Sequence, residues 1–408
     1  MGHARRRVVL SAAACGPSDE PEASAGWGFA KAAALEHDVW VVTRPRFRAE
    51  IEADLAVEPD LRDHLTVEYL DLPRWVQALR RRSWDLYWYY ALWQWALARR
   101  VRRLHARIGF DVAHHVTFAN DWLPCGLNRL RDVPIVWGPV GGASTFSFWR
   151  MRRWLGGRGL VGEVARSLLT GAPRRLFGDP VARRAALVVA QNPDVATRFG
   201  FARRIVVEPN AILAPPVQSG LSSPPAQKGQ RTALFVGRLI GWKGSRLAVA
   251  TIAHPRAAAW RLLVYGDGYD RAALESMAAA AGVSDRVEFL GHRPRSEVLA
   301  AYRSADALLF PSMHDQAGWV VAEASSVGCP VVCLPLGGPP VLAGPNAFVA
   351  ALEGDVVANL AEQLELAARS GGQAHARWSV ERLPGLVSSW YDEALQQGRR
   401  VDVQDEKE

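Results

Sequence analysis

The chain has 408 residues, more than one compact domain usually holds, so two or three domains are expected. Apolar residues make up 49% and charged residues 22%, which excludes general disorder and leaves only a polar, acidic end at Asp402–Glu408. The net charge of +8 is uneven: residues 1–210 carry 31 Lys and Arg against 21 Asp and Glu, and the remainder 18 against 20. An anionic partner is therefore to be sought in the first half.

The basic start Arg5-Arg6-Arg7 runs into V-V-L-S-A-A-A-C from Val8, which reads as a first strand rather than a signal peptide. A loop with Gly26 and Gly28 follows, then an alanine-rich helix to about Glu36 and the strand V-W-V-V-T. Arg74–Arg107 holds nine arginines and five tryptophans, with Asp85 as its only acid. The longest uncharged run there, Leu86–Ala98, has 13 residues, whereas a membrane-spanning helix needs about 18 or more, so no span is expected. Next come F-D-V-A-H-H-V-T-F from Phe110 and P-I-V-W-G-P-V-G-G from Pro134, two strands that feed loops. Arg150–Arg175 adds seven arginines against Glu163 alone.

A Pro/Ser-rich linker spans 213–230, and a second strand–loop–helix beginning follows it. T-A-L-F-V-G-R-L leads to Gly241-Trp242-Lys243-Gly244, a helix, and the strand R-L-L-V-Y-G-D-G. Short apolar runs alternating with longer helical segments predict an α/β fold: two Rossmann-like, doubly wound parallel-sheet domains facing a central cleft. The expected boundaries are 1–212 for the first domain and 231–378 for the second, with 379–408 forming a helix that returns to the first domain and a polar tail.

In the second half, Arg238 and Lys243 beside a helix start suit a diphosphate, because helix N-termini present N–H groups and a positive dipole end. The phosphate-loop pattern G-x-x-x-x-G-K-[ST] does not fit, since Trp242 intervenes and Gly244 follows the lysine. Further on, Asp315 and Glu323 lie eight apart, separated by Gly318 and a short helical start. Cys15, Cys125, Cys329 and Cys333 are scattered without metal-ligand spacing, and no D-x-D occurs.

The ordered series F-V-G-R-L…K-G, Y-G-D-G, V-E-F-L-G-H-R, Y-R-S-A-D-A-L-L-F-P-S and D-Q-A-G-W-V-V-A-E-A-S-S-V-G-C-P-V-V resembles the retaining GT-B glycosyltransferases of family four, also described as glycosyl transferases group 1. The resemblance implies that Arg238 and Lys243 bind the donor diphosphate and that Glu323 binds the nucleotide ribose. It places Gly318, Trp319 and Val320 in the loop whose amides face the diphosphate and sugar. Gly291, His292 and Arg293 fall where the nucleobase packs. Asp315 stands where the family has Glu, one methylene longer.

In the first half, E-A-S-A-G-W-G-F-A from Glu22 is similar to a branch carrying E-P-G-x-G-W, and puts Gly26 near the donor. The strand from Phe110 is similar to one that ends in histidine near the sugar. One of the adjacent His114 and His115 is expected to reach the cleft, and the sequence does not choose between them.

The implied reaction moves a sugar, hexosyl in type, from a nucleoside diphosphate to a hydroxyl of a glycan or lipid-linked acceptor, with retention. Bacterial polysaccharide or glycolipid assembly is the implied setting. No metal and no cofactor beyond the nucleotide sugar is expected, because cations stand where a metal clamp would. A nucleotide-sugar epimerase, or an inactive glycosyltransferase-like binding subunit, is the alternative. The Arg/Trp-rich segments 74–107 and 150–175 fit contact with an anionic membrane surface, or an amphipathic helix whose aromatics pack into the core. No recognition motif for nucleic acid accompanies the charge. A cytoplasmic location, peripheral at the inner face of the membrane, is expected.

Overall fold

The computed structural model describes residues 5–18, 20–82, 84–143, 148–213 and 229–405. The chain divides into two compact units, one of residues 1–143, 169–212 and 380–408, the other of 144–168 and 213–379. Most of the predicted linker, 214–228, lies outside the described residues.

The first domain is built on seven strands: β1 (Arg7–Ser11), β2 (Asp38–Thr43), β3 (Leu65–Tyr69), β4 (Val112–His115), β5 (Ile135–Val140), β6 (Leu187–Ala190) and β7 (Ile205–Val207). They lie in the order β3-β2-β1-β4-β5-β6-β7, and every pairing is parallel. Inner strands of a doubly wound sheet are covered on both faces, which is why β5 and β6 are buried along their whole length, whereas the edge strand β3 carries the polar Thr66 and Glu68. The helix Asp85–Ile108 covers one face and turns Tyr90, Trp93, Leu97 and Val101 inward. The carboxyl-terminal helix Leu383–Asp405 packs on the helix Pro21–Glu36, with Trp390 and Tyr391 set against Phe29 and His37. Ion pairs Arg6–Asp392 and Arg204–Glu393 tie the middle of this helix to the same domain.

The second domain has six strands: β8 (Arg231–Val236), β9 (Trp260–Tyr265), β10 (Val287–Gly291), β11 (Ala307–Phe310), β12 (Val331–Cys333) and β13 (Ala347–Val349). Their order is β10-β9-β8-β11-β12-β13, again all parallel. In both sheets the strand order reverses beside the first strand, between β1 and β4 and between β8 and β11. Open sheets of this kind bind ligands outside the carboxyl ends of the strands at that reversal.

One boundary differs from the expectation that placed 1–212 in the first domain. Residues 148–168, the first part of the helix Phe148–Pro173, group with the second domain. Met151 and Leu155 are fully buried in its core among Leu239, Leu247 and Leu336. The Leu155 carbonyl seats so closely on Gly241 that a Cβ there would meet it at 1.8 Å. Apolar side chains at helical spacing say that a helix buries a face but not which core receives it.

Among the described residues no helix is long and apolar enough to cross a membrane. The two readings of the tryptophan-rich stretch divide residue by residue. Trp93 is wholly buried, whereas Trp75, Trp84 and Trp95 are exposed. Arg82 lies over the Trp84 ring and Arg99 over the Trp95 ring, so two of the three carry a cation on their faces.

Candidate functional site

β8 ends at Val236, and Gly237-Arg238 carries the chain to the turn Gly241–Lys243 and the helix Ser245–Ala253. β11 ends at Phe310, and 311–318 form the loop into the helix Trp319–Ser326. The two loops that the sequence singles out thus leave adjacent strands on either side of the reversal, at their carboxyl ends.

They are stitched together. The Met313 N–H donates to the Trp242 carbonyl at 2.9 Å, and the Ser312 hydroxyl donates to the same oxygen at 3.3 Å. Gly244 adopts φ +78, and a Cβ there would meet the Pro311 carbonyl at 2.0 Å, so only glycine permits this approach. The Lys243 ammonium donates to Asp315 Oδ2 at 2.6 Å, and the Ser312 hydroxyl donates to that same oxygen at 3.0 Å. Lys243 lies 4.8 Å over the Trp242 ring and 5.3 Å over Phe310, while the exposed Arg238 lies 5.8 Å over Trp242. Two cations therefore converge on one indole, with a buried carboxylate setting the direction of the lysine. The lysine is thus held in place by Asp315 and the rings, and the two cations together suit a group of more than one negative charge.

Gly318, at φ +86, starts the helix Trp319–Ser326, whose first-turn N–H groups, those of Trp319 and Val320 included, belong to its positive end. Glu323 is buried on this helix and accepts from Arg295 Nε at 2.7 Å. Arg295 follows β10, whose end carries Gly291 (φ +72), His292 and Arg293. The latter two side chains are exposed, and Arg293 Nε donates back to the Leu290 carbonyl at 3.1 Å. The structure thus connects Glu323 to the loop after β10 through Arg295, along the carboxyl edge of one domain.

Residues that carry weight here were missed in the sequence. Trp242 holds both cations, and Ser312 bridges Asp315 to the turn. A Cβ on Gly337 (φ +65) would meet the Asp315 carbonyl at 2.1 Å, and the Gly338 N–H donates to that oxygen at 2.9 Å. The Gly-Gly pair just after β12 was the available signal.

The first-domain assignments need correction. His114 is buried; its Nδ1 lies 2.9 Å from the Tyr391 hydroxyl and its Nε2 2.9 Å from the Gly138 carbonyl. His115 is also buried, 3.1 Å from both the Tyr90 hydroxyl and Ser11 Oγ. Neither ring reaches the surface of its domain, and all four ring nitrogens have internal partners. Gly26 sits inside the helix Pro21–Glu36, not on a loop, and a Cβ there would meet the Ala14 carbonyl at 2.3 Å. It serves close packing of helix on loop. The polar group at this edge is Glu22, whose carboxylate accepts the N–H of Phe118 (φ +53) at 2.5 Å, and whose pKa burial pushes up.

Burial holds both imidazoles neutral, lowering His114 to about 4 and His115 to about 3, the latter helped by its neighbour. In the unfolded chain they protonate near 6.5. The unfolded state then binds more protons below that pH, so stability is full above it and is lost as pH falls from about 6.5 toward 4. Each histidine contributes a slope of up to about 1.4 kcal/mol per pH unit. Melting temperature against pH checks this: His115→Gln should be less stable at pH 7 but show a shallower fall between pH 6.5 and 4.

Solved structures place this architecture. Sucrose-phosphate synthase from Thermosynechococcus elongatus superposes with a TM-score of 0.58 at 18% identity, over 99% of this chain and all of that one. Two Rossmann-like domains of this order form the GT-B glycosyltransferase fold. Residues 221–379 match the family described as glycosyl transferases group 1. A 2-deoxystreptamine glucosyltransferase of Streptomyces kanamyceticus is 34% identical over 175 residues, 38% of this chain and 44% of that protein. A D-inositol 3-phosphate glycosyltransferase of Corynebacterium efficiens is 33% identical over 178 residues, 39% of this chain and 42% of that one. The chain thus matches under half the length of these curated relatives.

Proposed function

We propose that the chain is a retaining glycosyltransferase that moves a sugar from a nucleoside diphosphate to an acceptor hydroxyl. The observation that carries this reading is the pair Arg238 and Lys243, gathered on Trp242 with the lysine aimed by Asp315, at the reversal between β8 and β11. As the anomeric bond breaks, negative charge grows on the departing diphosphate. The two cations and the N–H groups at the start of Trp319–Ser326 stabilise that charge, and being already in place they cost little reorganisation. Glu323 binds the ribose once Arg295 yields it, and the loop Gly291–Arg293 packs the base. Asp315 Oδ2 is taken up by Lys243 and Ser312, which leaves Oδ1 to face a sugar hydroxyl. The first domain supplies the acceptor, on a glycan or a lipid.

Because protein cations do the work of a metal clamp, transfer should proceed unchanged in excess chelator. Incubation with UDP-, GDP- and ADP-hexoses and a panel of hydroxyl acceptors, with product anomers read by NMR, tests the proposal. Retained configuration and chelator-insensitive turnover are expected. Inversion, sugar isomerisation without acceptor, or donor binding with no turnover would each count against it.

We also place contact with an anionic membrane surface on the first domain. Its exposed Trp75, Leu79, Trp84, Leu92 and Trp95 accompany the arginines of the same segment. Co-sedimentation with phosphatidylglycerol vesicles at low salt should be strong and fall steeply with salt; no sedimentation at low salt would end this reading.

A further inference from the structure

The carboxyl edge of the first domain holds a pocket of about 470 Å³ that the donor chemistry does not use. β2 delivers Arg44 and Arg46 to one side of it, β3 leads to Asp71, and the turn before the helix Asp85–Ile108 brings Arg80, Arg81 and Arg82. Five arginines and one acid, Asp71, are thus among the residues that line the pocket. That carboxylate is already engaged, accepting the Tyr89 hydroxyl and, at 2.8 Å, the N–H of Leu72.

Arg44 separates a ligand site from a solvated basic turn. It is 5% exposed, and its Nε donates to the Ala13 carbonyl at 2.7 Å just beyond β1. No carboxylate forms an ion pair with it among the described residues. Burial, with Arg46 adding repulsion, pulls its pKa down to about 10. A buried cation in a pocket of like charge is unfavourable on its own and gains from an anion that supplies the missing charge. Arg46 shares its charge with the exposed Glu20 at 2.5 Å, whereas Arg81 and Arg82 are pinned through their backbone N–H groups, which donate to Asp85 at 2.8 and 2.7 Å. The Arg82 guanidinium lies over the Trp84 ring, whose apolar face leaves its N–H edge to a ligand. Planar, forked guanidiniums in this number match phosphate oxygens better than a sugar hydroxyl or a lone carboxylate.

We propose that this pocket binds a phosphate group carried by the acceptor. The proposal rests on reading the first domain as the acceptor side of a glycosyltransferase. Two sources share this chemistry, a lipid headgroup and a soluble phosphorylated sugar or polyol. The exposed Trp75 and Leu79 before the arginines, and Trp84 after them, are the apolar neighbours that a lipid source would use.

The chain is titrated with inorganic phosphate by calorimetry, and with phosphatidylglycerol or phosphatidylcholine vesicles by sedimentation. Wild type is compared with Arg44→Gln, with the exposed pair Arg80→Ser/Arg81→Ser, and with Lys243→Ala. Phosphate binding that persists in Lys243→Ala and weakens about tenfold or more in the double variant supports the pocket. Binding only to phosphatidylglycerol vesicles, released by the double variant, supports it with a lipid as the source. No binding of either probe, or binding undiminished in the double variant, overturns it. If Arg44→Gln melts early, the double variant alone decides. A Lys243→Ala protein that loses its nucleotide response and keeps its phosphate response shows that the two sites stand or fall separately.

Discussion

Replacing Lys243 by alanine is expected to lower kcat/KM for sugar transfer about 10²- to 10³-fold, the range seen when a preorganised charge-stabilising group is removed. Lys243 is not one surface cation among many. Its side chain is 14% exposed, its ammonium is held at 2.6 Å by Asp315, and two aromatic rings confine it. A lysine fixed in this way meets the developing diphosphate charge without first being ordered. The loss should fall on kcat as well as KM, because that charge is greatest in the transition state. Removing the ammonium also leaves Asp315 with Ser312 as its remaining side-chain partner, which costs about 1–3 kcal/mol of stability. Melting temperature is therefore recorded beside the rates. A variant that is folded and retains wild-type turnover would remove Lys243 from the mechanism.

The second large effect is structural. Gly244→Ala should destabilise the second domain by more than about 3 kcal/mol and abolish nucleotide binding. Two costs combine: the left-handed backbone, about 1–2 kcal/mol for a residue with a Cβ, and a contact at 2.0 Å with the Pro311 carbonyl that only a shift of one loop can relieve. Gly282 is the control within the same domain. It has φ +68 and nothing within 4 Å of its would-be Cβ, so Gly282→Ala should cost the backbone strain alone. Chemical denaturation of the two variants isolates the close approach between the loops after β8 and β11. Equal losses would mean that the loops part without consequence.

What was readable in the sequence follows from how local each feature is. β8, the turn 241–244, β9 and the 311–323 stretch are contiguous runs whose apolar content, glycines and charges declare a strand, a tight turn and a helix start. Their positions at one edge follow from the parallel order. The histidines show the opposite case. Adjacent residues on β4 point to opposite faces, and in a doubly wound sheet both faces are covered. His114 meets Tyr391, from the far end of the chain, and His115 meets Tyr90 on a helix; neither partner is visible from the strand itself. Gly26 looked like a loop residue because glycine is rare in helices, yet it is there to let the helix Pro21–Glu36 pass close to Ala14. The segment 148–168 was misplaced because membership of a core is a non-local property. Trp242, Ser312 and the Gly337-Gly338 pair gain their roles only when three loops from separate strands are brought to one edge.

The carboxyl edge of the second domain is proposed to hold a nucleoside diphosphate through Lys243. Thermal unfolding of the full chain with UDP, GDP and ADP, in wild type and Lys243→Ala, tests it most directly. At about 100 times its dissociation constant a bound nucleotide stabilises by roughly 2.7 kcal/mol, a readable shift. One nucleotide is expected to raise the melting temperature of wild type and to leave that of the variant unmoved. Equal shifts in both proteins, or none with any nucleotide, would contradict the claim.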